Sequence, residues 1–517
     1  MNAWFAAAVL IASSVGVAAA DPALIEAVKA NDHDAAVALL EKGADARERE
    51  VDGTTGLHWA IHNGDVDLVQ RLIKARADVK AANDYGATPM SEAAIVADTA
   101  ILKSLLKAGA DVESPNAEGQ TALMAVARTG NVESAKLLLQ HRARIDATEQ
   151  WGGQTALMWA SAQSQPEMVK FLVSKGANVN ARGAVRDWQR RVTAEGRPKN
   201  MNHGGFTPLL YAAREGCIDC ARYLVKGGAD INLPDPDGTT PLLMALLNMR
   251  FDLSSYLIEA GADVDRWDFY GQTPLYTAID MHILPVGGRP DLPSADDSNG
   301  LQIAAMLLKA GANPNAQLKL RPRYRNGVFD RGGDQVLSTG ATPLLLAAKT
   351  GDAAAVELLL QYKALVNLPT ATGVTPLMAA AGMGHSFNPT RGRFKTDAQA
   401  VECLRLIKAA GGEVNAPAEN GLTALHAAAE HGWNETVKTL IAAGAQLEAP
   451  DRKGLMPIDY AAGRQERAFL EPEHKRYEST IALLREQIVA ATGRAPKEFN
   501  GTLNRQQRGT GASQSGD

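Results

Sequence analysis

A chain of 517 residues with 45% apolar and 21% charged side chains has the balance of a folded, water-facing protein. Its net charge of −5 gives the whole molecule no polycationic character, so a nucleic-acid partner is not expected. An ordinary globular chain of this length divides into several domains, whereas an array of small units can grow by addition.

Residues 1–20 carry an apolar run from Ala3 to Ala12, then small residues ending in Ala18-Ala19-Ala20 before Asp21-Pro22. This is the pattern of a cleavable signal peptide, although the α-amino group supplies the only positive charge of its first segment. Ser13, Ser14 and Gly16 interrupt the run below spanning length, which disfavours a membrane anchor or a buried helix. No later stretch is long and apolar enough to span a bilayer, so a periplasmic or secreted protein with no membrane insertion after cleavage is expected. Residues 21–50 hold a helix and a Gly-Ala-Asp ending but lack the start signal that follows elsewhere, as befits an N-terminal cap.

That start signal is a threonine followed in most copies by proline, a helix N-cap with proline at the first helical position, with Gly56, Ala122, Ala156 or Ala424 standing in the proline's place in four copies. Thr55, Thr88, Thr121 and Thr155 fall 33, 33 and 34 residues apart; Thr207, Thr240 and Thr273 fall 33 apart, as do Thr342 and Thr375, and Thr423 and Met456. The unit from Gly205 to Gly238 shows what recurs. A short apolar helix after Thr207 stops at Gly216, a second helix with Asp219 in its first turn runs to Gly227-Gly228, and Asp235-Pro236-Asp237-Gly238 is turn chemistry. Two such short helices cannot bury their apolar faces alone and must stack on neighbours. Repeats are expected over 51–182, 205–316 and 341–454, a C-terminal cap over 455–488 and a disordered tail over 489–517. The spacing breaks three times, placing basic hairpin insertions at 183–204 and 317–340 and inter-helix insertions at 284–299 and 384–397, with about 19, 36 and 15 extra residues in the three gaps.

With this period and a closest copy reading Thr423-Ala-Leu-His-Ala-Ala-Ala-Glu-His-Gly432, the chain resembles the ankyrin-repeat family over about Asp21 to Ile488. The resemblance implies an all-α solenoid of about 11–12 helix-turn-helix-hairpin units and a non-catalytic scaffold that binds another protein. It also implies that the position two after the signature leucine faces a concave groove, where Trp159, Tyr211 and Met244 stand in successive repeats, with Trp151, Trp267, Phe269 and Tyr270 at nearby hairpin tips. Such aromatic residues are frequent interface anchors. Packing against the inserted loops is the alternative for them.

Counted over 182–205, 317–339 and 386–397, the inserted loops carry a net charge of +9, with eleven arginines against three lysines, on a body that sums to −14. Arg186, Trp188, Arg190 and Arg191 stand in the first basic insertion and Arg323, Tyr324 and Arg325 in the second. Either these charges are merely solvated or they form contact surface, for a protein or for an anionic ligand such as an acidic glycan or lipid headgroup. Cys217 and Cys220 form a C-x-x-C at a helix start, which suits a local disulfide in an oxidising compartment; a thiol-disulfide enzyme is the remote alternative, because the unit is a repeat and not a βαβ fold. The histidines lack metal-ligand spacing and no nucleophile motif or phosphate loop appears, so no metal, cofactor or catalytic residue is expected, and the protein is expected to be a monomer.

Overall fold

The computed structural model describes residues 23–186, 191–192, 198–199, 203–282, 296–320, 336–384, 395–465 and 475–497. The signal-like residues 1–20, most of the inserted segments and the end of the tail lie outside these ranges. By contacts the chain divides after Ala184 into two units.

The first unit holds five helix pairs: α1 Ala23–Lys29 with α2 His33–Glu41, α3 Gly56–His62 with α4 Val66–Lys74, α5 Pro89–Val96 with α6 Thr99–Lys107, α7 Ala122–Thr129 with α8 Val132–Gln140, and α9 Ala156–Ala162 with α10 Pro166–Ser174. Among the described residues seven pairs make up the second: α11 Pro208–Glu215 with α12 Ile218–Lys226, α13 Pro241–Leu247 with α14 Phe251–Glu259, α15 Pro274–His282 with α16 Gly300–Lys309, α17 Pro343–Thr350 with α18 Ala353–Gln361, α19 Pro376–Ala380 with α20 Asp397–Ala409, α21 Ala424–Glu430 with α22 Asn434–Ala442, and α23 Pro457–Ala461 with α24 Glu478–Thr492. Within each unit first helices stack on first helices, from α1 to α9 and from α11 to α23. The layering is that of an all-α solenoid.

Local chemistry sets the helix bounds. Thr207, Thr240, Thr342 and Thr375 each accept from the N–H three residues on, with proline at the first helical position. Asp65, Asp98 and Asp352 cap second helices in the same way. Where the first helix carries the signature histidine, its Nδ1 takes the Thr N–H and its Nε2 reaches the next unit: His58 lies 3.2 Å from the Ala87 carbonyl and His426 3.3 Å from that of Leu455. Burial lowers the pKa of both imidazoles, which suits a neutral ring that accepts on one side and donates on the other.

Successive turns are stitched through their backbones. Asp84 N donates to Asp52 O in the first unit; Phe269 N to Asp237 O, Ala371 N to Thr339 O, Glu419 N to Thr372 O and Arg452 N to Asn420 O do so in the second. At its base the first basic insertion is a two-stranded ribbon. Val185 bridges Gly204, β1 Arg191–Val192 pairs antiparallel with β2 Pro198–Lys199, and His203 Nδ1 lies 2.8 Å from Asp237. Asp252 takes the N–H groups of Asp297 and Ser298, at 3.0 Å each, and so holds the end of the first inter-helix insertion.

Candidate interaction surface

Several turns are closed by the side chain at their first position. Asn83, Asn116, Asp235, Asp268 and Asp451 each accept from the N–H groups two and four residues on, at 2.8–3.1 Å. Once the turn's own backbone is satisfied, side chains such as Tyr85, Trp151 and Phe269 are left to project, whereas Tyr270 at the third position folds into the core. Most of the large apolar side chains exposed among the described residues lie on hairpins and not on helices: Val51, Tyr85 and Trp151 in the first unit, Val185, Trp267, Phe269 and Leu320 in the second.

In the second unit several of these converge. Trp267 is 50% exposed and Phe269 59%, and Lys319 Nζ sits 3.1 Å from the centroid of the Trp267 ring. The backbone N–H groups of Lys319 and Leu320 both reach the Tyr270 carbonyl, at 2.9 and 3.0 Å. Phe269 meets Tyr270 edge-on at 5.4 Å. Beneath them Asp268 is buried, and removal from water pushes its carboxyl up to about 6, with Asp235 and Asp237 adding repulsion while the Gln272 and Tyr270 N–H groups oppose the shift.

The other residues singled out in the sequence fall differently. Tyr270 and Met244 are only 8% exposed and belong to the core; the segment around Lys319 pairs onto Tyr270, and the Met244 sulfur lies 3.5 Å from Asn248 Nδ2. Tyr211 is half-buried, edge-on to Phe206 with the Arg214 guanidinium over its ring. Trp159 is half-buried in the first unit, and among the described residues its buried Nε1 has no hydrogen-bond partner, whereas Trp59 at the same repeat position donates to Glu50 at 2.8 Å. Trp151 is 64% exposed on a turn closed by the Glu149 carboxylate. Arg186 anchors the ribbon base through its N–H to His203 O, and Arg191 lies in its first strand. Trp188, Arg190, Arg323, Tyr324 and Arg325 lie outside the described residues. Val51, Tyr85 and Leu320 are not singled out in the sequence, and Lys319 counts there as a charge of the second basic insertion; register two residues after the turn-closing Asn83 is the signal that finds Tyr85.

Cys217 caps α12, and its sulfur is bonded to that of Cys220, S–S 2.05 Å, with Cys220 buried against the core. The third cysteine, Cys403, is buried. Lys395, expected on a basic loop, is instead 3% exposed: its Nζ donates to the carbonyls of Ala379, Ala380 and Ala348 at 2.6, 2.7 and 3.3 Å. Burial pushes its pKa down to about 7, while three carbonyl acceptors offset the lost hydration. No group of His, Cys, Asp and Glu suited to a metal ion occurs among the described residues, and no described helix is long and apolar enough to cross a membrane.

Comparison with known proteins follows the same lines. The family model described as "Ankyrin repeats (3 copies)" matches residues 24–116, 93–183, 209–318, 297–387 and 395–471. The chain is 34% identical over 125 residues, 24% of its length, to human "Ankyrin repeat and KH domain-containing protein 1", and 29% identical over 168 residues, 32% of its length, to the chicken "Nuclear factor NF-kappa-B p105 subunit". It spans 4% and 14% of the lengths of these relatives. Among solved structures, the crystal structure of the human ASB11 ankyrin repeat domain aligns over 46% of this chain and 98% of that one, with 22% identity and a TM-score of 0.39. With matches running over most of its length, this chain belongs to the ankyrin-repeat family.

Proposed function

We propose that this protein is an exported, non-catalytic scaffold that holds a protein partner across its hairpin turns. The observation that carries the reading is the concentration of exposed aromatic and aliphatic side chains on those turns, most densely at Trp267, Phe269 and Leu320. A Trp ring already backed by Lys319 is a rigid anchor that loses little entropy on contact. Export is supported by the signal-like residues 1–20, and a bonded Cys217–Cys220 pair is at home in an oxidising compartment. The arginines of the inserted segments would then rim the contact and speed association more than they tighten it.

Photo-crosslinking locates the surface. With a benzophenone amino acid in place of Phe269 or Trp151, incubation with the extracytoplasmic fraction should give a discrete adduct, which Trp267→Ala should weaken at Phe269. The same probe at Tyr362 or Val489, exposed but off the turns, should give none. Equal adducts at all four positions would refute the assignment.

A further inference from the structure

A cleft of about 280 Å³ opens on the second unit where α19, α20 and α22 meet, with Leu377, Leu404, Val414, Leu440 and Ala443 among its walls. That volume stands at the lower edge of small-molecule sites, about 300–1,000 Å³. Two departures from the repeat pattern lie on it. At the helical residue whose carbonyl accepts from the C-cap N–H one turn on, the second helices from α8 to α20 carry Leu137, Phe171, Tyr223, Tyr256, Met306, Leu358 and Leu406, whereas α22 carries Thr439, a small hydroxyl residue of the kind Ser104 supplies in α6. The Thr439 hydroxyl turns back to the Glu435 carbonyl at 2.7 Å, so the space a large side chain would fill is left apolar and open. Two residues before the C-cap, the other second helices carry an aliphatic residue, as at Val225, Ile258, Leu308, Leu360 and Ile441; α20 carries Lys408.

A cation has thus replaced an aliphatic residue beside a vacated apolar slot. Lys408 and Arg405, one turn apart on α20, border the cleft, and neither side chain has an ion-pair or hydrogen-bond partner among the described residues. We propose that this cleft binds a medium-chain aliphatic carboxylate, the chain lying between Leu404, Thr439 and Ala443 and the carboxylate paired with Lys408. Apolar burial would supply most of the affinity and the ion pair the choice of head group. The site lies away from the hairpin turns and stands independently of the role proposed for them.

Titration calorimetry of the full chain with decanoate, below its micellar concentration, tests this. One saturable site is expected, with methyl decanoate and decyltrimethylammonium binding about fivefold or more weakly, the worth of one exposed ion pair. Lys408→Gln should remove that discrimination. Thr439→Leu, which restores the side chain of the preceding repeat, should abolish binding without lowering the melting temperature, and Ala443→Met is the second plug should that variant fold poorly. Decanoate binding that survives both plugs, the absence of saturable binding, or equal affinity for the three head groups would overturn the proposal.

Discussion

At the scale of single residues, chemistry repeated at one turn position has unequal consequences. Asn83 and Asn116 close their turns without charge, while Asp235 and Asp268 do the same work as carboxylates one repeat apart in partly dehydrated settings. Because the folded-state pKa of Asp268 is raised to about 6 from 3.8, the folded state holds its proton longer than the unfolded chain, and stability falls as pH rises through that window. Asp268→Asn should therefore raise stability at pH 7.5 by about 1–3 kcal/mol, and the gain should vanish near pH 4, as read from urea melts at the two pH values. His431 works in the opposite direction. Burial lowers its pKa to about 4, so stability is lost as pH falls below the ordinary value of 6.5, and His431→Gln should flatten that acid limb of the melting profile. The turn-closing role of these side chains was legible in the sequence, since Asx chemistry acts within four residues. The pKa shifts were not, since they arise from packing between units.

At the scale of elements, the helices follow local signals: a threonine cap, a proline one residue later and a glycine at the end. Their prediction needed nothing beyond the chain itself. The pair α19 and α20 departs from the pattern. Here the first helix has five residues, and the carbonyls at its end are met by Lys395, which arrives from across an insertion. Nothing in the sequence separates Lys395 from Arg391 and Arg393, because its burial depends on a contact 47 residues away at Ala348. Lys395→Met should cost about 2–3 kcal/mol in the second unit by leaving these carbonyls without a donor. The wild type should gain stability as pH rises from about 7 to 10, since the folded state sheds the Lys395 proton before the unfolded chain does; the variant should lack that rise. Chemical denaturation across that range measures both effects.

At the scale of the whole molecule, the described helix pairs within each unit pack on the pairs next to them in sequence, so damage should stay local. Native-state hydrogen exchange on Lys395→Met should quicken through residues 343–442 and remain unchanged over 23–150, whereas quickening across both would show the two units to be one cooperative body. The repeat period made the stacking legible from threonine positions alone, but not the division after Ala184, where the first basic insertion begins. Nor did it show which apolar residues meet water: Phe269 and Tyr270 stand side by side on one hairpin tip, yet the first is exposed and the second buried. The reach of Lys395 bears on anyone tempted to streamline this protein. Residues 384–397 look like surplus, and pruning them to restore the regular period is the obvious economy. The final stretch of that apparent surplus contains the bolt that fastens two floors of the building, so the shortened protein would come out loosened rather than tidied.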